Sequence, residues 1–315
     1  MDALIFISMT GRHAAAALAL AAAVGVLVAT RPASACSVCG CGDPLVDASD
    51  SIPNMAPLRL ALDFEVLTAS AASDDDPLAE ESLTQVTLRP VIVYSPIESL
   101  NLVAQIPLVR KDWSLSGDAS ESATHTGLGD VDLGVRWFFL RTMSLEAMSR
   151  QALGVLAGTT LPTGPDDATQ DGMRLDDHAQ LGTGSFGPYL GLVYAYHRDP
   201  WNVFLSGTAQ VRTTNSFDYH YGTAVRWSAR ADYRIVDRFA VELGVDGRYA
   251  AKDTAGGEDQ VNTGGLLLAA APGASVNLAG DVWLRGRVQI PFATSLNGDQ
   301  SVGPTFFASV QMLIR

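Results

Sequence analysis

From about residue 58 to the C-terminus, apolar and polar residues alternate with a period of two. Between 220 and 235, Tyr221, Thr223, Val225, Trp227, Ala229, Ala231, Tyr233 and Ile235 interleave with His220, Gly222, Ala224, Arg226, Ser228, Arg230, Asp232 and Arg234. Successive side chains of a strand point to opposite faces, so one face here is greasy and the other carries charges. In 131–137, Val131, Leu133, Val135 and Trp137 oppose Asp130, Asp132 and Arg136; in 238–249, Val241, Leu243 and Val245 oppose Glu242, Asp246 and Arg248. In 282–290, Leu284, Val288 and Ile290 oppose Arg285, Arg287 and Gln289. A charge on a lipid-facing position costs about 2–4 kcal/mol at the bilayer midplane, so the charged set faces inward. The pattern predicts an all-β chain: a transmembrane antiparallel up-and-down β-barrel of about twelve strands, the one sheet that spans a bilayer with every backbone group paired. The strands are expected near 58–68, 83–95, 100–112, 128–140, 150–161, 184–197, 201–213, 220–235, 238–250, 263–277, 282–293 and 302–314.

The connections alternate in length. Longer ones are expected over 70–82, 113–127, 162–183, 214–219, 252–262 and 294–301; tight ones over 95–99, 198–200, 236–237 and 278–281, with 141–149 in between. Bacterial barrels place their short turns in the periplasm and their long loops outside, and an even strand count then puts both termini in the periplasm. Tyr94, Trp137, Phe139, Tyr194, Tyr196, Trp201, Tyr233 and Phe239 gather near the tight turns, as an interfacial girdle does. A secreted β-sandwich or propeller also alternates, but would leave its charged face wet. Strand length and the asymmetry of the loops favour the barrel.

Composition adds an address. Arg12 and His13 precede an apolar run from Ala14 to Ala29, and Ala33-Ser34-Ala35 is a small-x-small cleavage pattern, with Met9 as an alternative start. Residues 1–35 read as a signal peptide, 36–57 as a Cys-containing periplasmic segment and 58–315 as the barrel. After the leader no apolar stretch approaches the ~20 residues of a membrane helix. The net charge of -13 leaves no basic stripe for phosphates, which argues against nucleic acid as a partner. The location implied is the bacterial outer membrane, with its lipid, the barrel-assembly machinery and a small-molecule solute as partners.

Several motifs resemble the family of outer-membrane transporters named after the MetA pathway of phenol degradation. They are Gly127-Leu128-Gly129-Asp130-Val131-Asp132-Leu133-Gly134-Val135-Arg136, Leu161-Pro162-Thr163-Gly164, and the run from Gly182 to Gly191. Val288-Gln289-Ile290-Pro291-Phe292 followed by Leu296-Asn297-Gly298 is similar too. The resemblance spans most of 58–315 and implies an outer-membrane barrel with a transport role. The chain departs from the usual aromatic last residue of such barrels, ending Met312-Leu313-Ile314-Arg315. Gly127, Gly129 and Gly134 read as places where a strand bends or leaves room for a neighbour.

Two sets of residues carry candidate chemistry. The three cysteines fall together at Cys36, Cys39 and Cys41. They suit a disulfide that leaves one thiol over, a Cu(I) or Zn(II) site needing a further ligand, or acylation of Cys36. The second set is the inward charges: Arg59, Asp63, Glu65, Arg89, Asp130, Asp132, Arg136, Arg226, Arg230, Asp232, Arg234, Glu242, Asp246, Arg248, Arg285 and Arg287. Both signs occur, so the lumen reads as a narrowed polar path held by ion pairs rather than a wide pore. Acidic clusters at Asp74–Asp76, Glu80-Glu81, Asp166-Asp167, Asp171, Asp176-Asp177 and Glu258-Asp259 read as solvated loops or weak cation attractors. No Gly-x-Ser-x-Gly elbow or phosphate cradle is present, and His125, His178, His197 and His220 form no catalytic pattern, so an enzyme is not expected. The function expected is a channel or transporter for small solutes through a charged lumen; the alternative is a metal- or redox-linked barrel centred on the cysteines.

Overall fold

Residues 57–72, 80–116, 121–170 and 172–314 are described in the computed structural model. The leader over 1–35, the cluster Cys36, Cys39 and Cys41, and the acidic residues Asp74–Asp76 and Asp171 lie outside the described residues. Twelve wall strands follow the alternation. They are β1 (Leu58–Ala72), β2 (Glu80–Ile97), β3 (Leu100–Gln105 continued by Leu108–Ser116), β4 (Glu121–Leu128 continued by Val131–Ser144), β5 (Ser149–Leu161) and β6 (Gly187–Arg198). The others are β7 (Trp201–Gln210), β8 (Ala224–Val236), β9 (Phe239–Ala250), β10 (Gly265–Ala279), β11 (Val282–Leu296) and β12 (Thr305–Ile314). Each pairs antiparallel with its sequence neighbour. The cylinder closes where β12 runs along β1 from Leu58↔Ile314 to Val66↔Phe306. On its other edge β1 pairs β2 from Leu58↔Tyr94 to Ala72↔Glu80. A short segment, Gln300–Val302, continues that seam beside Ala69–Ala71. Leu58 and Ile314 therefore sit together, at the end of the cylinder that carries the short turns.

The loop asymmetry holds, with a correction. Much of 70–82 and 113–127, expected as loop, is strand: β2 pairs β3 as far as Glu80↔Ser116, and β3 pairs β4 as far as Leu115↔Glu121. Alternation is weaker in these polar stretches, but pairing satisfies their backbone groups above the wall. Conversely β6 begins at Gly187 and β7 stops at Gln210, short of the bounds expected from sequence. β3 and β4 are each interrupted once, at Ile106-Pro107 and Gly129-Asp130, and the Gly129 N–H donates to the Pro107 carbonyl at 2.8 Å across the break. A Cβ on Gly129 would lie 2.9 Å from a Val109 methyl, so this bend needs glycine.

Outside, Leu62, Phe64, Ile92, Leu133, Leu190, Leu192, Leu243 and Val245 form a belt of exposed apolar side chains. Near the short turns Tyr94, Trp137, Phe139, Trp201 and Tyr233 are also exposed, with the Trp201 and Tyr233 rings 4.7 Å apart. Leu243, 65% exposed on β9, should be hydrocarbon-facing. Leu243→Arg is expected to lower folding stability in lipid vesicles by about 2–4 kcal/mol more than Leu243→Ala, read by urea titration. An equal effect of the two would place that face in water.

Inside, the interior splits by height and side. Toward the turns, Val91, Val93, Val103, Phe138, Leu156, Val193 and Phe204 pack into one apolar block. The alternation did not foretell this block, because on β2 both faces are apolar there: Ile92 and Tyr94 are exposed while Val91 and Val93 are buried. Phe138 joins it on the same parity as Asp132 and Arg136, just before a register shift between Phe138 and Leu140. A burial of this kind in a barrel interior shortens any polar route on that side.

Candidate functional site

The inward face of β8, β9 and β11 builds a network of ion pairs at mid-height. Glu242 is its hub: the Arg285 Nε donates to Oε2 at 2.7 Å, while Arg230 and Arg287 approach Oε1 at 3.9 and 3.8 Å. Arg285 also reaches Asp232 at 3.4 Å, and Arg230 reaches Asp246 at 3.7 Å. Asp246 further accepts from Ser228 at 2.5 Å and Gln289 at 2.6 Å. Across the lumen, Arg89 on β2 pairs with Glu65 on β1 at 3.2 Å, and Asp63 accepts from Ser309 at 2.6 Å. Such pairs are held by geometry and by the carboxylates' remaining hydrogen bonds, since burial of each ion alone is costly.

The other expected lumen residues are distributed differently. Asp132 accepts from the Tyr189 hydroxyl at 2.9 Å, and Arg226 donates to the Gln210 side-chain oxygen at 2.9 Å. Arg136 is 1% exposed on the inward face of β4. Arg248 lines a chamber toward the long-loop end of the cylinder together with Arg226, Asp132 and Asp253. Arg234 is a correction: it lies at the short-turn end, where the regular register of β8 stops, exposed and paired with Asp199, not in the lumen. Alternation ends where the wall ends, so the last charge of the β8 series leaves the interior. Asp130 takes a second role. It sits in the break of β4 and lines the chamber, with its oxygens turned to the loop: they accept from Gly164 N at 3.0 Å, Thr183 N at 2.8 Å and Thr183 Oγ1 at 2.6 Å.

Those bonds close both ends of the connection between β5 and β6, residues 162–186, which folds into the mouth as a lid. Its two stems touch so closely that a Cβ on Gly182 would lie 2.2 Å from the Gly164 carbonyl oxygen. Gln180 ties the loop to itself, accepting from Ala168 N at 2.8 Å and donating to Leu175 O at 2.9 Å. Leu175 and Ala179 pack on Leu83 and Trp113 of the wall. The Lys111 ammonium, inward on β3, donates to the carbonyls of His178 at 2.7 Å and Gln180 at 2.5 Å. On the opposite side, His178 Nε2 lies 3.0 Å from Asp253 Oδ2 and 3.0 Å from the Tyr219 hydroxyl. Tyr219 donates to the same Asp253 oxygen at 2.8 Å, and Gly222 N donates to the other at 2.7 Å. Burial alone would push the Asp253 carboxyl up, but His178 and the Gly222 and Tyr219 donors hold it below the usual carboxylate range. Burial, then the Asp253 charge, pushes the Tyr219 hydroxyl well above the usual phenol value.

The acidic pair Asp176-Asp177, read from sequence as solvated, is partly structural. Asp177 receives both guanidinium nitrogens of Arg174, at 2.9 and 2.8 Å, and the Asn215 amide at 2.9 Å. Arg174 also stacks 3.8 Å from the centroid of Phe217. Lys111, Arg174, His178, Tyr219 and Asp253 were not among the expected site residues. Lys111 shares the parity of Gln105 and Val109, which was signal enough; the others lie in loops, where no period exists to read. Among the described residues no group of three or more His, Cys, Asp or Glu side chains is placed to hold a metal ion.

A closed antiparallel cylinder, greasy without and ionised within, defines a membrane-spanning β-barrel. No protein-family model matches the chain, and no curated protein matches its sequence. Among solved structures it is similar to an outer membrane channel from Pseudomonas putida F1, with a TM-score of 0.65 and 19% identity over 86% of this chain and 100% of that one. It is also similar to the translocator domain of autotransporter NalP from Neisseria meningitidis (TM-score 0.45, 12% identity, 83% of this chain, 90% of that one). The Ralstonia pickettii toluene transporter TbuX gives a TM-score of 0.44 and 9% identity over 91% of this chain and 96% of that one.

Proposed function

We propose that this chain spans the bacterial outer membrane and passes small solutes through its interior, with residues 162–186 acting as a lid at the outer mouth. The observation that carries this reading is the chamber between that lid and the mid-height ion pairs, a polar cavity of about 70 Å³ lined by both wall and lid residues inside a wall paired all the way round. A purely structural cylinder has no use for a pinned outer loop above an ionised cavity. The barrel likeness to the Pseudomonas putida channel supports the reading, as does the resemblance of the motifs to those of the MetA-pathway family. On it, the short turns and both ends of the wall are periplasmic and the lid faces outward.

The test is conductance of the purified full chain in planar bilayers, beside a variant with 168–179 replaced by a short Gly-Ser bridge. The wild type is expected to give small steps and the lidless variant larger, steadier ones. Silence from both, with heat-modifiable migration on gels showing that both are folded, overturns the proposal.

A further inference from the structure

We propose that the chamber beneath the lid passes small uncharged polyols, Asp132 accepting a solute hydroxyl that Thr208 and Ser206 on β7 receive next. This rests on the channel reading above and names its solute class.

Charge does not single out an ion here. Cations and carboxylates line the chamber in nearly equal number. Arg89 pairs with Glu65, Asp177 with Arg174 and Asp253 with His178, while Asp132 lies within electrostatic reach of Arg89, Arg226 and Arg212. An entering ion of either sign meets like charge beside unlike charge, and sheds hydration to do so. The chamber measures about 70 Å³, room for only a few water-sized groups beneath the closed lid, so the solute is short.

What the site offers instead is hydrogen bonds. Asp132 is buried, lines the chamber and uses Oδ1 for Tyr189, while its Oδ2 has no donor among the described residues. Buried acceptors are normally satisfied, and with arginines already answering its charge, the partner that fits is a neutral donor. β7 continues in kind. Gln210, Thr208 and Ser206 take successive inward positions, all buried, running from the chamber toward the mid-height ion pairs. The Gln210 side chain is engaged, accepting from Arg226 and donating to Thr160. The Thr208 and Ser206 hydroxyls are buried with no hydrogen-bond partner among the described residues. Ser206 stands opposite Ser228 on β8, which donates to Asp246 in the ion network. One rung further the β7 face turns apolar at Phe204, in the interior block. Two successive unsatisfied hydroxyls below a carboxylate with a spare oxygen suit a group that both donates and accepts, as an alcohol does.

Glycerol and erythritol are the probes, beside glycine, a zwitterion, and trimethylamine N-oxide, which is neutral overall and carries no donor. Swelling of liposomes holding the full chain is measured in each, with the rate of empty liposomes subtracted. Erythritol should enter several-fold faster than trimethylamine N-oxide or glycine, although it is no smaller, and glycerol faster still. A KCl gradient across a planar bilayer should give a reversal potential near zero. Thr208→Val with Ser206→Ala removes both hydroxyls at nearly constant volume and breaks no internal bond, so the barrel should fold, as heat-modifiable migration checks. The double variant should lower the ratio of erythritol to trimethylamine N-oxide entry by about three- to tenfold, the scale of one net hydrogen bond. Asp132→Asn should lower the same ratio, and Thr208→Ser, which keeps the hydroxyl, should keep it. Trimethylamine N-oxide or glycine entering as fast as erythritol, or a ratio unmoved by the double variant, overturns this inference and leaves the channel reading standing. So does a reversal potential close to the limit of either ion. Absence of both conductance and entry of any probe removes the channel reading itself.

Discussion

Glu242→Ala is expected to cost the barrel about 3–5 kcal/mol, the scale measured when one partner of a buried ion network is removed. Its carboxylate is the hub for Arg230, Arg285 and Arg287 and has almost no exposed surface. Deleting it leaves three guanidinium groups facing one another with Asp232 and Asp246 displaced to one side. Glu242→Gln keeps the volume and one acceptor, so it should cost less, roughly the 1.5–3 kcal/mol of a charge-assisted hydrogen bond. Urea titration of tryptophan fluorescence in lipid vesicles reads both. A further discriminating variant is Glu242→Met combined with Arg285→Met. If the pair is held mainly by the geometry of burial, replacing both with apolar side chains recovers much of the loss. A loss under about 1 kcal/mol for Glu242→Ala would mean that water reaches this tier freely, as for an exposed pair.

The wall was legible in the sequence because lipid on one side and ions on the other force the same alternation on every strand. All twelve strands fall where the period places them, and the inward charges of β8, β9 and β11 are where parity puts them. Parity is blind in three circumstances, each visible here. It fails where both faces are apolar, which hid the interior block around Val93 and Phe138. It fails past the rim, which misassigned Arg234. It also fails in loops, which hid the pairing of His178 with Asp253 across seventy-five residues of chain. Asp130 shows a mixed case: the sequence marked it as inward, but only the break at Gly129 explains why it serves the lid. Charge parity located the buried ion pairs of the wall, while the partners that fix the shape of the chamber came from segments without a repeat.

Asp253→Ala is expected to open the lid. The substitution removes the acceptor shared by His178, Tyr219 and Gly222, and charge-assisted bonds of this kind contribute about 1.5–3 kcal/mol each. A net loss of roughly 3 kcal/mol raises the open population about a hundredfold, since each 1.4 kcal/mol is a factor of ten. Conductance of the variant should then approach that of the lidless chain, whereas Lys111, still bound to the His178 and Gln180 carbonyls, keeps the loop near the mouth. The same latch sets a pH window for the native protein. Asp253 is held below its ordinary value in the closed form, so its contribution is complete above about pH 4 and fades as pH falls through the lowered value. Tyr219 and Tyr221 are pushed up in the closed form, so they stay neutral there while a released loop ionises above about pH 10, which favours release. The closed state should accordingly persist across the neutral range and yield at both extremes, while Asp253→Ala, already largely open at neutral pH, should show no acid limb. A conductance profile for Asp253→Ala that matches the wild type at every pH would detach this carboxylate from gating and leave Lys111 and Asp130 as the groups that hold the lid.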